Sequence, residues 1–199
     1  FIAAGRSANI DDFGLDFEKD GKYIKTDENL MTNIENIYAI GDITGKLMLA
    51  HTASHQGIEV VEHLLLNKAV NINYNHIPSV IYGKPEIASV GFTEQYLIQN
   101  NIDYRVSNVP LTVTGKALVD DELDGFVKVL ANDEKILGAH IIASEASAMI
   151  EQIAIAMSND ISPEHLTHTV FAHPTISESV HEALLELQGE AIHVLRGIK

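Results

Sequence analysis

Apolar and polar positions alternate in three textures along this chain. Phe1-Ile2-Ala3-Ala4 is a continuous apolar run that reads as a short buried strand, left through the turn Gly5-Arg6-Ser7-Ala8-Asn9. Tyr23-Ile24-Lys25-Thr26 is β-rich and bounded by Asp20-Gly21. Ile37-Tyr38-Ala39-Ile40 is again continuously apolar and ends in Gly41-Asp42, the pattern of a buried parallel strand. From Thr52 to Leu66 the apolar residues Ala53, Ile58, Val60, Val61, Leu64 and Leu65 take helical spacing. Residues 67–76 are Asn-rich, precede Pro78, and read as a linker. Beyond it, strand-like runs at 79–82, 87–91, 104–109, 126–131 and 135–143 are interleaved with helical patterns near 93–100 and 145–158. Two more helices, near 162–168 and 177–187, bracket a His-Pro turn. Strands clustered with flanking helices predict an α+β second domain at 76–199, after a first domain at 1–75.

Composition narrows the function classes. At 199 residues and 46% apolar, the chain can bury an ordinary core. Thirteen Lys+Arg against 28 Asp+Glu give a formal charge of −15, which argues against nucleic acid or an anionic membrane surface as partner. No apolar run approaches the ~18–20 residues of a membrane span, and no signal segment is recognised. A cytoplasmic location is expected. Zero cysteines exclude, within these residues, a disulfide scaffold, a Cys-type zinc site and a thiol nucleophile. An opening in mid-strand, with no initiator Met, is expected to be the boundary of a piece from a longer chain.

Two places carry candidate chemistry. At the first, a strand ending in Gly41-Asp42 would put a carboxylate at the carboxyl edge of a sheet, where ligands of α/β folds bind. Gly41 would permit close approach of a ligand, and Asp42 could accept hydrogen bonds from sugar or sugar-alcohol hydroxyls. Met48-Leu49-Ala50-His51 leads into the next helix, whose amino end supplies free N–H groups and partial positive charge. That suits a ligand that becomes anionic. A turn in which Asp42 merely caps the next element is the competing reading. His51, His55 and Glu59 share one helix face, but without His-Glu-x-x-His they are read as cap or packing residues, and no metal is expected. Gly41-x3-Gly45-Lys46-Leu47 is one residue short of a phosphate loop and lacks its hydroxyl, and no G-x-G-x-x-G is present.

The second place is His173-Pro174-Thr175-Ile176-Ser177-Glu178. An imidazole is the natural side-chain acceptor of a proton near neutral pH. A carboxylate on the far ring nitrogen fixes the tautomer and stabilises imidazolium. His173 and Glu178 have those identities, Pro174 limits backbone freedom between them, and Ser177 is placed to cap the helix that carries Glu178. The competing reading is a His-Pro turn before a capped helix, with Glu178 favourable near the dipole.

These segments together resemble the pyridine-nucleotide–disulfide oxidoreductases. Gly5-Arg6-x-x-Asn9 is similar to the end of that family's nicotinamide-dinucleotide domain. Tyr38-Ala39-Ile40-Gly41-Asp42 with Leu49-Ala50-His51 resembles its second flavin-binding segment, and Pro78-x3-Tyr82-x2-Pro85-Glu86 through Gly91-x-Thr93-Glu94 the start of its dimerisation domain. His173 to Glu178 resembles its catalytic tail. Departures are Ala8 where Pro is usual, Gln56 for Glu, Gly83 for Thr and Phe171 for His.

The resemblance implies an α+β interface (dimerisation) domain at 76–199, preceded at 1–75 by the closing segment of the α/β FAD-binding domain. It implies His173 and Glu178 as the acid–base pair, and Gly5, Asp42, Met48, Leu49, Ala50 and His51 as cofactor-binding residues. FAD and NAD would serve the full-length enzyme, and the 199 residues alone would bind neither and be inactive. It further implies a homodimer through 76–199 in which each histidine serves the partner's disulfide. The ending, Glu182-Ala183 followed by Gln188-Gly189-Glu190-Ala191-Ile192-His193, is similar to that of members serving 2-oxo-acid dehydrogenase complexes, which implies the lipoyl domain of the E2 acyltransferase as partner. A glutathione-reductase-like member, sharing His-Pro-Thr-x-Ser-Glu, and a free-standing dimerisation module are the alternatives.

Overall fold

The computed structural model describes residues 1–10 and 13–194, and the chain divides into two compact units, Phe1–Tyr74 and Asn75 onward.

In the first unit, β1 (Lys19–Asp20) and β2 (Tyr23–Ile24) form a two-stranded antiparallel ribbon. A 3-10 turn, Gly41–Thr44, leads toward α1 (Ala50–Leu66), which ends on Asn67 in the left-handed conformation. Ile10, Ile24 and Ala39 form the small core, with Phe17 and Ile43 against it. Two expected strands are absent here. Phe1 and Ile2 are exposed. Ile37-Tyr38-Ala39-Ile40 makes a single antiparallel bridge, Met31 to Tyr38, and Ile40 is partly exposed. A parallel strand takes hydrogen bonds from neighbours on both edges. Among the described residues of this unit, this run bonds only to its own hairpin, through Thr32 N–H to Ile37 O and Ala39 N–H to Leu30 O.

The second unit is built on a five-stranded antiparallel sheet of β3 (Ser79–Ile81), β4 (Glu86–Gly91), β5 (Arg105–Pro110), β6 (Phe126–Ala131) and β7 (Ile136–Ala143). The order is β3-β4-β7-β6-β5, with Val90 and Val129 both opposite Ala139. Alternation decides which face is inward: Ala88 and Val90 on β4 and Val109 on β5 are buried, while their neighbours are not. The central strands β6 and β7 are buried almost throughout.

Helices α2 (Glu94–Gln99), α3 (Gly115–Asp120), α4 (Ala146–Ser158), α5 (Pro163–Thr167) and α6 (Glu178–Gln188) complete the unit. α4 packs on β4 and β7, and α6 on β5 and β6. Met149, Ile150 and Ile153 from α4 meet Val180, Ala183 and Leu184 from α6 in one core with the sheet. Leu97, Leu130 and Leu137 fill a smaller cluster with Phe92 and Tyr104. The architecture is α+β. Burying the apolar faces of α4 and α6 fixes α6 rigidly, and α6 carries Glu178 at its first position.

Candidate active site

The loop 172–177 enters α6 through a cis His173–Pro174 bond. Thr175 donates its hydroxyl to Ala172 O at 2.8 Å and its N–H to Glu178 Oε2 at 2.9 Å, which folds the loop onto the first turn of the helix. His173 Nδ1 lies 2.9 Å from Glu178 Oε1 and 3.2 Å from Oε2. The carboxylate is three-quarters buried, whereas the imidazole is 74% exposed. Burial pushes the Glu178 carboxyl up. The Thr175 N–H, the His173 hydrogen bond and the charges of His173 and His193 outweigh it and hold the group below the usual carboxylate range. With Nδ1 turned to a carboxylate, Nδ1 carries the ring proton and Nε2 is left to accept one.

Ser177 stands at the N-cap but does not cap. Its backbone is already helical, and its hydroxyl accepts from Gln152 Nε2 of α4 at 2.8 Å. Glu178, the first residue of α6, turns its side chain back to the Thr175 N–H of the loop. An open apolar groove of about 410 Å³ lies alongside, lined by Ile155, Leu166, Val170 and Phe171 with Gln152 and Thr175. Phe171, one of the departures from the resembled motif, stacks on His181 at 4.7 Å.

In the first unit, Gly41 takes φ +73°, and a Cβ there would approach Ala53 Cβ of α1 to 3.1 Å. The turn is pinned by Gln56, fully buried on α1, whose Oε1 accepts the Gly41 N–H at 2.6 Å and whose Nε2 donates to the Tyr74 hydroxyl at 3.0 Å. Asp42 is half exposed and pairs with Arg6 at 3.3 Å. Gly5, at φ +98°, thus lies beside the residue that reaches Asp42. Met48 accepts from the Tyr23 hydroxyl at 3.9 Å, and Leu49 is the N-cap of α1. Ala50 and His51 open the helix and are exposed. Thr52 Oγ1, one residue on, is buried without a partner. So Gly5, Asp42 and the opening of α1 are tied into one unit, while His173 and Glu178 form a pair in the other.

Two polar side chains named in the sequence motifs take roles that the motifs did not assign them. Gln56 is one. The other is Glu182, 3% exposed, which binds His193 Nδ1 at 2.9 Å.

Residues 77–184 match the dimerisation domain of the pyridine nucleotide-disulphide oxidoreductases, and residues 1–57 match the pyridine nucleotide-disulphide oxidoreductase domain. The chain is 40% identical to a dihydrolipoyl dehydrogenase of Bacillus subtilis over 96% of its own length and 42% of that protein's. It is 38% identical to the mitochondrial dihydrolipoyl dehydrogenase of Pisum sativum, over 97% of its length and 40% of that protein's. It thus spans about two-fifths of these relatives. Its fold superposes on LpdA from Mycobacterium tuberculosis with a TM-score of 0.83 at 29% identity, covering 91% of this chain and 41% of that one. On a family match across more than half its length, the chain belongs to the pyridine nucleotide-disulphide oxidoreductases.

Proposed function

We propose that this chain supplies the acid–base pair, part of the FAD site and the dimer interface of a dihydrolipoyl dehydrogenase, which reoxidises protein-bound dihydrolipoamide with NAD. The observation that carries the proposal is the contact of His173 Nδ1 with Glu178 at 2.9 and 3.2 Å, set on a rigid helix. In this reading Nε2 of His173 takes the proton of a substrate thiol. The S–H bond breaks, an N–H bond forms, and the thiolate attacks a disulfide sulfur while the old S–S bond breaks. Glu178 holds the ring and stabilises the imidazolium. The disulfide lies outside these residues, which contain no cysteine.

The first unit fits the flavin. Asp42 offers a carboxylate to hydroxyl groups, Gly41 leaves room for close approach, and the orphaned Thr52 hydroxyl stands in the first turn of α1. When bound, the flavin would supply two-electron transfer between the reduced disulfide and nicotinamide. Gly5, Met48, Leu49, Ala50 and His51 complete the proposed contacts. Support for a homodimer is the match of residues 77–184 to a dimerisation domain, and the relatives' identity supports the lipoyl domain of an E2 acyltransferase as partner. Without the rest of the enzyme the 199 residues should be inactive and bind no flavin.

The test is stopped-flow reduction of the flavin by dihydrolipoamide in the full-length protein. His173→Gln should retain flavin yet slow this step by ~10²–10⁴-fold, and Glu178→Gln should cost less. Reduction of an artificial acceptor by NADH should be spared. A wild-type rate in His173→Gln would make His173 a turn residue. Turnover of glutathione disulfide in place of lipoamide would reassign the substrate.

A further inference from the structure

α6 lies between two loops that both fold back on it, and each ties a histidine to it. The first loop brings His173 to Glu178. The second brings residues 192–194 to Glu182, one turn further along. Glu182 Oε2 accepts the N–H groups of Ile192 at 3.2 Å and His193 at 3.0 Å, and Oε1 meets His193 Nδ1 at 2.9 Å. Val194 packs against the main core, while the His193 ring is 62% exposed. A carboxylate as buried as Glu182 is costly unless its oxygens are filled, and three donors from one short segment fill them. The acid–base reading of His173 makes no use of this second pair.

We propose that Glu182 and His193 form a positioning pair for the acid–base site, holding a second imidazole beside Glu178 so that Glu178 stays turned to His173. The proposal rests on the reading of His173–Glu178 as that site. Glu178 and Glu182 are i, i+4 neighbours on α6, so their like charges oppose each other. The imidazole that Glu182 holds offsets this, a smaller contribution than the Thr175 N–H and the His173 contact, which together outweigh burial and hold Glu178 below the usual carboxylate range. Without that imidazole, Glu178 would face the like charge of Glu182 with only the Thr175 N–H and His173 to counter it, and its grip on the His173 ring would weaken.

Besides Glu164 of α5 and Glu186 of α6 itself, which add negative charge near Glu182, the charged groups on elements packed against α6 are engaged elsewhere. Arg105 of β5 reaches the Leu187 carbonyl at the far end of the helix, and Lys128 of β6 pairs with Glu94. His165 of α5 is bonded to Ser162.

The experiment uses the full-length enzyme with two variants at His193, the exposed member of the pair. His193→Gln keeps a donor for Glu182 but has no charge, and His193→Lys keeps a charge. His193→Gln should slow flavin reduction by dihydrolipoamide about tenfold, well short of the ~10²–10⁴-fold expected on removing the base itself. His193→Lys should restore the rate to within about twofold, and NADH-driven reduction of an artificial acceptor should not change in either. A wild-type dithiol rate in His193→Gln overturns the proposal, as does an equal loss in the NADH reaction. Failure of His193→Lys to restore the rate overturns it too, reducing the pair to a structural clasp. A slow His173→Gln beside a normal His193→Gln sinks only this inference, whereas a normal His173→Gln sinks the acid–base reading beneath it.

Discussion

Glu94 accepts the Tyr104 hydroxyl at 2.8 Å and the Lys128 ammonium at 2.5 Å, tying α2 to β6. The Lys128 hydrogen bond, then that of Tyr104, hold its carboxyl below the usual glutamate range against the opposing effect of burial. A folded-state pKa below the unfolded one contributes stability that is fully present above the unfolded value and disappears as pH falls through the folded one. Thermal melts of the parent should therefore lose stability as pH drops below about 4.3, the ordinary glutamate value, while Glu94→Gln should lose less over that window and start lower at neutral pH. Equal pH slopes in both proteins would remove Glu94 from the account. Gln56 works without charge. Gln56→Leu leaves the Gly41 N–H and the Tyr74 hydroxyl without their partner, an expected cost of about 1–3 kcal/mol. In the full-length enzyme the same change should weaken flavin retention on dialysis, because it frees the turn that carries Asp42.

Helix ends show which local signals are sufficient. Thr93 caps α2 by accepting the Tyr96 N–H at 3.2 Å, and Ser162 caps α5 by accepting that of His165 at 3.2 Å, with Pro163 at the first helical position. Thr93→Ala and Ser162→Ala should each cost about 1 kcal/mol in chemical denaturation, and an unchanged midpoint would show that the helix is held by packing alone. Ser177 has an equally good cap residue in sequence, yet its hydroxyl serves Gln152, a residue 25 positions away. α1 makes the same point for a whole face. Its apolar spacing is plain in sequence, but the structure buries Thr52, Gln56 and Val60 and exposes Ile58, Leu64 and Leu65. Periodicity announces a helix; the element lying against it chooses the buried side. α3 is too short for periodicity to reveal, since Ala117 alone of its six residues is buried. Gly125 illustrates the converse, a residue whose need appears only in three dimensions. It stands just before β6 at φ +151°, and a Cβ there would collide with the Ile142 carbonyl oxygen. Gly125→Ala should destabilise the second unit by more than about 2 kcal/mol.

At the scale of the molecule, the second unit has a continuous core of its own and still exposes Ile81, Tyr82, Ile98, Val119, Ile155 and Val170. On a chain of net charge −15, association must be specific to overcome general repulsion, and residues 77–184 match a dimerisation domain. Residues 75–199 expressed alone should fold without flavin and self-associate. Sedimentation showing only monomer at high micromolar concentration would count against the interface and against each histidine serving a partner's disulfide.

The amino-acid sequence by itself determined the α+β class of the second unit, the strands β3 to β7, the helices α2 and α4, and the helices around the His-Pro turn, because each rests on local periodicity and turn chemistry. It also placed His173 five residues from Glu178, near enough for one turn to join them. Tertiary structure alone decided that Glu182 would grip a histidine eleven residues on, that Gln56 would pin Gly41, and that Ile37-Tyr38-Ala39-Ile40 would make one bridge in place of a parallel strand. The reason is common to all three. Hydrogen-bond partners and strand neighbours are chosen by which backbone arrives alongside, and sequence spacing carries that information only where the chain turns back at once.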